Sequence, residues 1–134
     1  MIKITLTLAI NLLILASSQA IFADEFTTED LQRWQAEYQS VLDKGEKLFH
    51  GGIKSKNTMS CDQCHPNATN THPETYPKFQ QQLGKVVVLG EMINWCIMNP
   101  LETDPLPLDS ADMAALQTYI THERRGVKLE PGKH

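Results

Sequence analysis

Cys61-Asp62-Gln63-Cys64-His65 decides how the rest of this chain is read. Two cysteines separated by two residues, with a histidine immediately after, form the attachment motif of c-type haem. The chemistry explains the spacing. The two thiols add across the haem vinyl groups as thioethers, and one turn of chain between them matches the separation of those groups. His65 then lies under the iron, where its imidazole serves as the proximal ligand. Competing readings lack their remaining parts. A structural zinc site takes four ligands, and Cys96, the third and last thiol, has no matching pair. A thioredoxin-like redox pair needs a βαβ setting, which the surrounding pattern does not supply. A Cys61–Cys64 disulfide leaves the adjacent His65 without a role.

The amino-terminal stretch points to a compartment that suits this chemistry. Lys3 supplies a basic start, Ile4 to Ala16 is apolar, and Ser18-Gln19-Ala20 or Ile21-Phe22-Ala23 offers a small-residue cleavage site. We read residues 1–23 as a signal peptide cut after Ala20 or Ala23, and 24–134 as one monohaem domain. The apolar run is short for a bilayer crossing, so no membrane span is expected after cleavage. Bacterial haem attachment takes place outside the cytoplasmic membrane. Both features therefore predict the periplasm.

Charge and cysteine count narrow the class. Lys3 is the only charge in residues 1–23, so 24–134 carries 11 basic against 16 acidic residues, a formal charge of −5. A mildly acidic domain argues against a nucleic-acid partner. A domain this small has a modest core, which a covalent haem would enlarge. Haem consumes Cys61 and Cys64. An exposed Cys96 left over in an oxidising compartment would be open to oxidation, so it is expected to be buried, paired between chains or bound to metal.

Three helical blocks surround the motif. The first runs from about Thr28 to Phe49, capped by Thr27 or Thr28, with Glu29 and Asp30 in its first turn. Leu31, Trp34, Tyr38, Val41, Leu42 and Phe49 fall near helical spacing and predict an apolar stripe, with Trp34 and Tyr38 in core packing. Gly51-Gly52 ends this block. Val86 to Leu89 could be a strand but has no evident partner, so it reads as buried chain leading into a helix from Gly90 to about Asn99. Pro100 stops that helix. Asp109 or Ser110 caps the last one, whose buried face is Met113, Leu116, Tyr119 and Ile120, and Gly126 terminates it. His50 and His72 read as exposed loop histidines, with His72 a rival iron ligand, and His122 and His134 as surface and tail residues. The fold class is all-α, a class I cytochrome c-like helical domain wrapped around one covalent haem c.

The distal iron ligand decides the redox chemistry, and two candidates stand two residues apart. On one helix, Cys96 and Met98 point about 200° from each other, so both can hardly face the iron. A methionine ligand raises the reduction potential. A thiolate donates electron density and lowers it.

Several short motifs carry a resemblance. Gly45 with Phe49 resembles the glycine and aromatic by which, in class I cytochromes c, the N-terminal helix crosses closely over the C-terminal one. Asn94-Trp95-Cys96, then Leu106-Pro107-Leu108-Asp109-Ser110-Ala111-Asp112-Met113, then Tyr119-Ile120, resembles the haem domain of bacterial thiosulfate dehydrogenases and, more loosely, SoxA-type cytochromes of sulfur oxidation. Tyr76-Pro77 and Gly84-Lys85-Val86-Val87 fit the same order. The resemblance covers roughly Gly45 to Ile120 and implies that Cys96 is the distal ligand opposite His65, with Met98 the alternative. Two departures accompany it. Those dehydrogenases carry two haems where this chain has one CxxCH, and their small-residue glycine turn is replaced by Met98-Asn99-Pro100-Leu101.

The function expected from these readings is periplasmic electron transfer through one haem, linked to sulfur-compound oxidation. The partners would be redox proteins, another cytochrome or a sulfur-oxidising enzyme. The alternatives are a haem subunit of a thiosulfate-oxidising enzyme, an ordinary His/Met electron shuttle, and a sensor in which a small gas displaces a weak sixth ligand.

Overall fold

Thr27 closes the start of the first helix. Its Oγ1 accepts from the Asp30 backbone N–H at 3.1 Å, while its own N–H and hydroxyl donate to the Asp30 carboxylate. This satisfies amide groups that have no partner inside a first helical turn. The computed structural model describes residues 26–129. The expected signal peptide, its cleavage sites and His134 lie outside the described residues. The chain divides into two compact units between Gln32 and Arg33. In the first, residues 26–32 are described, and they form the opening of helix α1 (Thr28–Lys47).

The second unit holds the rest of α1, three further helices and one hairpin. A π turn at Leu48–Gly52 follows α1, and Gly51 leaves the helix with φ +103°. The haem motif forms a single turn, α2 (Cys61–Cys64), closed by the His65 N–H donating to the Cys61 carbonyl at 2.9 Å. Two 3₁₀ turns, Pro66–Ala68 and Pro73–Thr75, carry the chain onward. Strands β1 (Lys78–Gln80) and β2 (Lys85–Val87) pair antiparallel, with Phe79 opposite Val86. Helix α3 (Leu89–Met98) carries Cys96, and α4 (Ala111–Glu123) closes the unit.

The core forms where α1, the π turn, α3 and α4 meet. Phe49, Ile97, Met113 and Leu116 are fully buried, with Ile93, Tyr119 and Ile120 beside them. The whole apolar face expected for α4 is buried. Gly45 explains how α1 meets α4. A Cβ there would stand 2.1 Å from the Ala115 carbonyl oxygen and 2.7 Å from the Tyr119 Cβ, so only glycine permits this approach. One turn on, the Phe49 ring packs against the Tyr119 ring at 5.1 Å between centroids. The glycine-and-aromatic crossing expected from Gly45 and Phe49 is present. Ser110 caps α4, its Oγ accepting from the Met113 N–H at 3.1 Å.

Four expectations are corrected. The fold is mostly helical rather than purely α, because Val86 and Val87 have the partner that seemed missing. Lys78-Phe79-Gln80 pairs with them across a short loop that Gly84 closes at φ +65°. Nor is that stretch uniformly buried. Val87 is covered, but Phe79 and Val86 share the opposite face and are each 64% exposed. Alternation of side chains along a strand requires this split. The stripe on α1 also begins later than its spacing suggests. Leu31 and Trp34 are 54% and 44% exposed, and burial starts at Tyr38 and deepens at Leu42. Periodicity marks one face of a helix, not how many of its turns are covered. His122, read as a surface residue, is tied to the helix pair. Arg125 donates to the Tyr38 hydroxyl oxygen, and the same hydroxyl is hydrogen-bonded to His122 Nδ1 at 3.0 Å. Among the described residues no helix is long and apolar enough to cross a membrane.

Candidate haem site

His65 is already oriented. Its Nδ1 lies 2.9 Å from the Thr69 carbonyl oxygen, which can only accept, so Nδ1 carries the proton and Nε2 keeps its lone pair. A backbone carbonyl on one ring nitrogen is the usual means of setting the tautomer of a metal-binding histidine. Thr69 is itself anchored, because its hydroxyl donates to the Pro66 carbonyl. Two thiols in one turn and an imidazole with Nε2 as its available lone pair are the donor set that a covalent haem takes, so the residues fit that group.

Hydrogen bonds tie the segment after the Cys96 helix to the loop before this turn. The Asn57 side chain donates to the Pro100 carbonyl at 2.7 Å, and the Lys56 N–H donates to the Leu101 carbonyl. The Leu101 N–H in turn donates to the Cys96 carbonyl. Burial pushes the Cys61 thiol up to about 11, and a charge on Cys96 adds to that shift. The Cys96 thiol is raised by burial and then by Cys64. Met98 sits at the end of α3 and is 45% exposed. His72 pairs with Glu74, two residues away, at 3.3 Å.

Three side chains of the site were not legible as such. Asn94 brackets Leu106: its Nδ2 donates to the Leu106 carbonyl and its Oδ1 accepts from the Leu106 N–H, at 2.8 and 2.9 Å. This holds the loop between α3 and α4 against the helix that carries Cys96. Tyr76 is half-buried. Its hydroxyl is raised first by burial, and a charge on Cys96 raises it further. Gln80 Nε2 donates to the Tyr76 oxygen at 2.6 Å, and Lys78 Nζ lies over the Tyr76 ring. His50 is exposed, as read, but it is also bridged between Asp62 and Tyr119, at 3.0 Å to each. Asp62 also accepts from the Ser60 hydroxyl, and these bonds, Ser60 first and His50 second, hold its carboxyl below the ordinary range. The motif's spacing marks its cysteines and its histidine, but it says nothing about partners fifty residues away.

A CxxCH turn set against crossed helices, with a preoriented histidine, defines a c-type cytochrome domain. The chain matches the SoxA/TsdA cytochrome c domain family over residues 44–129, and it belongs to that family. Membership implies haem c binding. A 73-residue stretch is 30% identical to a thiosulfate dehydrogenase of Psychrobacter arcticus (strain DSM 17307 / VKM B-2377 / 273-4), covering 48% of this chain and 22% of that relative's length. The chain thus spans under a quarter of the curated relative it matches. No solved structure matches.

Proposed function

We propose that this protein is an exported, periplasmic electron carrier with one haem c, working in sulfur-compound oxidation. Cys61 and Cys64 would hold the haem as thioethers, and His65 Nε2 and the Cys96 sulfur would ligate its iron. The haem supplies reversible one-electron chemistry, and a thiolate ligand favours the ferric state. The chain does the positioning. Thr69 orients His65, Asn94 and the Leu101 N–H steady the segment around Cys96, and the α1–α4 crossing carries the frame. What supports the reading is that the segment after Cys96 is hydrogen-bonded to the loop before the CxxCH turn, through Asn57 to Pro100 and Lys56 to Leu101, while Met98 stands exposed at the helix end. The partners would be another cytochrome or a sulfur-oxidising enzyme.

Absorption and EPR spectra of the ferric holoprotein test this reading. A low-spin thiolate pattern is expected, lost in Cys96→Ala and retained in Met98→Leu. A methionine–iron charge-transfer band that disappears in Met98→Leu would overturn it and leave an ordinary His/Met shuttle. The likeness to a thiosulfate dehydrogenase favours a second reading, a haem subunit of a thiosulfate-oxidising enzyme. Thiosulfate-dependent reduction of the haem, alone or with a copurifying partner, would distinguish it from a simple carrier.

A further inference from the structure

Asp62 occupies the first intervening position of the CxxCH turn, and its carboxylate has two donors. Ser60, from the residue just before the motif, donates to Oδ1. His50, from the π turn after α1, contacts Oδ2 through Nδ1 at 3.0 Å. An ionised carboxylate only accepts, so His50 Nδ1 carries the proton. In the neutral ring Nε2 then accepts from the Tyr119 hydroxyl, 3.0 Å away on α4. A directed chain results: Tyr119 donates to His50, and His50 donates to Asp62. The His50 ring also packs edge-on against Phe49 and Tyr119, with centroids 5.6 and 5.9 Å away. Phe49 and Tyr119 are the aromatics of the α1–α4 crossing. The haem-binding turn is thus joined by hydrogen bonds to the crossing that organises the fold.

We propose that His50 is a positioning residue for the haem-binding turn: through Asp62 and Tyr119 it ties that turn to the α1–α4 crossing and fixes a negative charge at the turn's first intervening position. The proposal rests on the haem-site reading above only for its effect on potential. Hydrogen bonds to an ionised group are among the stronger ones in proteins, and a chain of them acts as a unit. Asp62 without its His50 donor is a less compensated anion beside the haem turn, which stabilises ferric iron.

The test uses the full chain with His50→Phe, His50→Gln, Tyr119→Phe, and His50→Phe combined with Tyr119→Phe. His50→Phe keeps a ring against Phe49 and removes both hydrogen bonds. In the full chain as purified, exchange of the Gln63 and His65 amides, which donate to Ser60 and Cys61 inside the turn, should quicken about tenfold in His50→Phe. Exchange at Leu116 in α4 should not change, and His50→Gln, which keeps a donor for Asp62, should recover part of the protection. In the holoprotein His50→Phe should lower the reduction potential. The combined variant should shift it no further, because Tyr119 acts through His50. Unchanged exchange in the turn, an equal rise throughout the chain, or additive shifts in potential would each overturn the proposal. A starting protein that carries no covalent haem would instead overturn the haem reading, and the exchange measurement would still decide the role of His50.

Discussion

At the residue scale, neighbours decide what each side chain can do, and Asn94 shows this most simply. Its amide copies the donor and acceptor of a backbone strand and pairs with both polar groups of Leu106. Removing it leaves a backbone carbonyl and an N–H with no protein partner in a half-buried place. Asn94→Ala should therefore lower the unfolding free energy by about 2 kcal/mol, measured by urea denaturation of the holoprotein. It should also perturb the spectrum of the distal ligand, because the loop it holds adjoins the helix of Cys96. Asn94→Asp keeps the acceptor, loses the donor to the Leu106 carbonyl, and should fall between the two. Cys61 makes the same point about environment. Burial pushes its free thiol up to about 11, because the charged form loses its water.

At the element scale, one glycine and one carboxylate govern how helices meet and begin. Gly45→Ala drives a methyl group into the Ala115 carbonyl, and backbone cannot yield as the tip of a side chain can. The change should cost about 3 kcal/mol and lower the thermal midpoint well beyond the effect of an alanine placed at exposed Glu46. Equal effects would mean that α1 and α4 do not approach this closely. Glu91 closes the start of α3. One oxygen accepts from the Val88 N–H at 3.0 Å and the other from Lys85 Nζ at 2.6 Å. The Lys85 bond first, and the Val88 N–H second, hold its carboxyl below the ordinary range. A carboxyl lowered by folding stabilises the native state above its unfolded-state value, and that support is lost as pH falls through the lowered native value. Glu91→Gln should thus lower the thermal midpoint at neutral pH, and the gap should close in acid. A gap that acid leaves unchanged would assign the loss to packing rather than charge.

At the scale of the whole molecule, the prosthetic group and the small core depend on each other. The described core is built from a handful of side chains at the helix junctions, and small domains bury too little surface to be stable by a wide margin. A group bound only by the native state adds to stability. Haemochrome assay and intact mass should give one haem per chain, and the mature chain should begin at Ile21 or Asp24. Replacing Cys61 and Cys64 together by serine should abolish covalent haem and remove much of the cooperative thermal transition. A second haem per chain, or an unchanged transition, would contradict this dependence.

What the sequence determined by itself rests on rules of short range. The CxxCH spacing depends on the span of one turn, the α4 face on helical period, the Ser110 cap on hydroxyl chemistry, and the Gly45–Phe49 pair on what a close crossing tolerates. Each involves residues a few positions apart, so each was legible. Only the tertiary structure decided that Lys78-Phe79-Gln80 is the partner of Val86 and Val87, since three residues carry too little pattern to announce a strand. It likewise decided where the cover of α1 begins and that His50 is bridged rather than free. These depend on residues brought together from across the chain, and no local pattern encodes which of the many distant groups a side chain will meet.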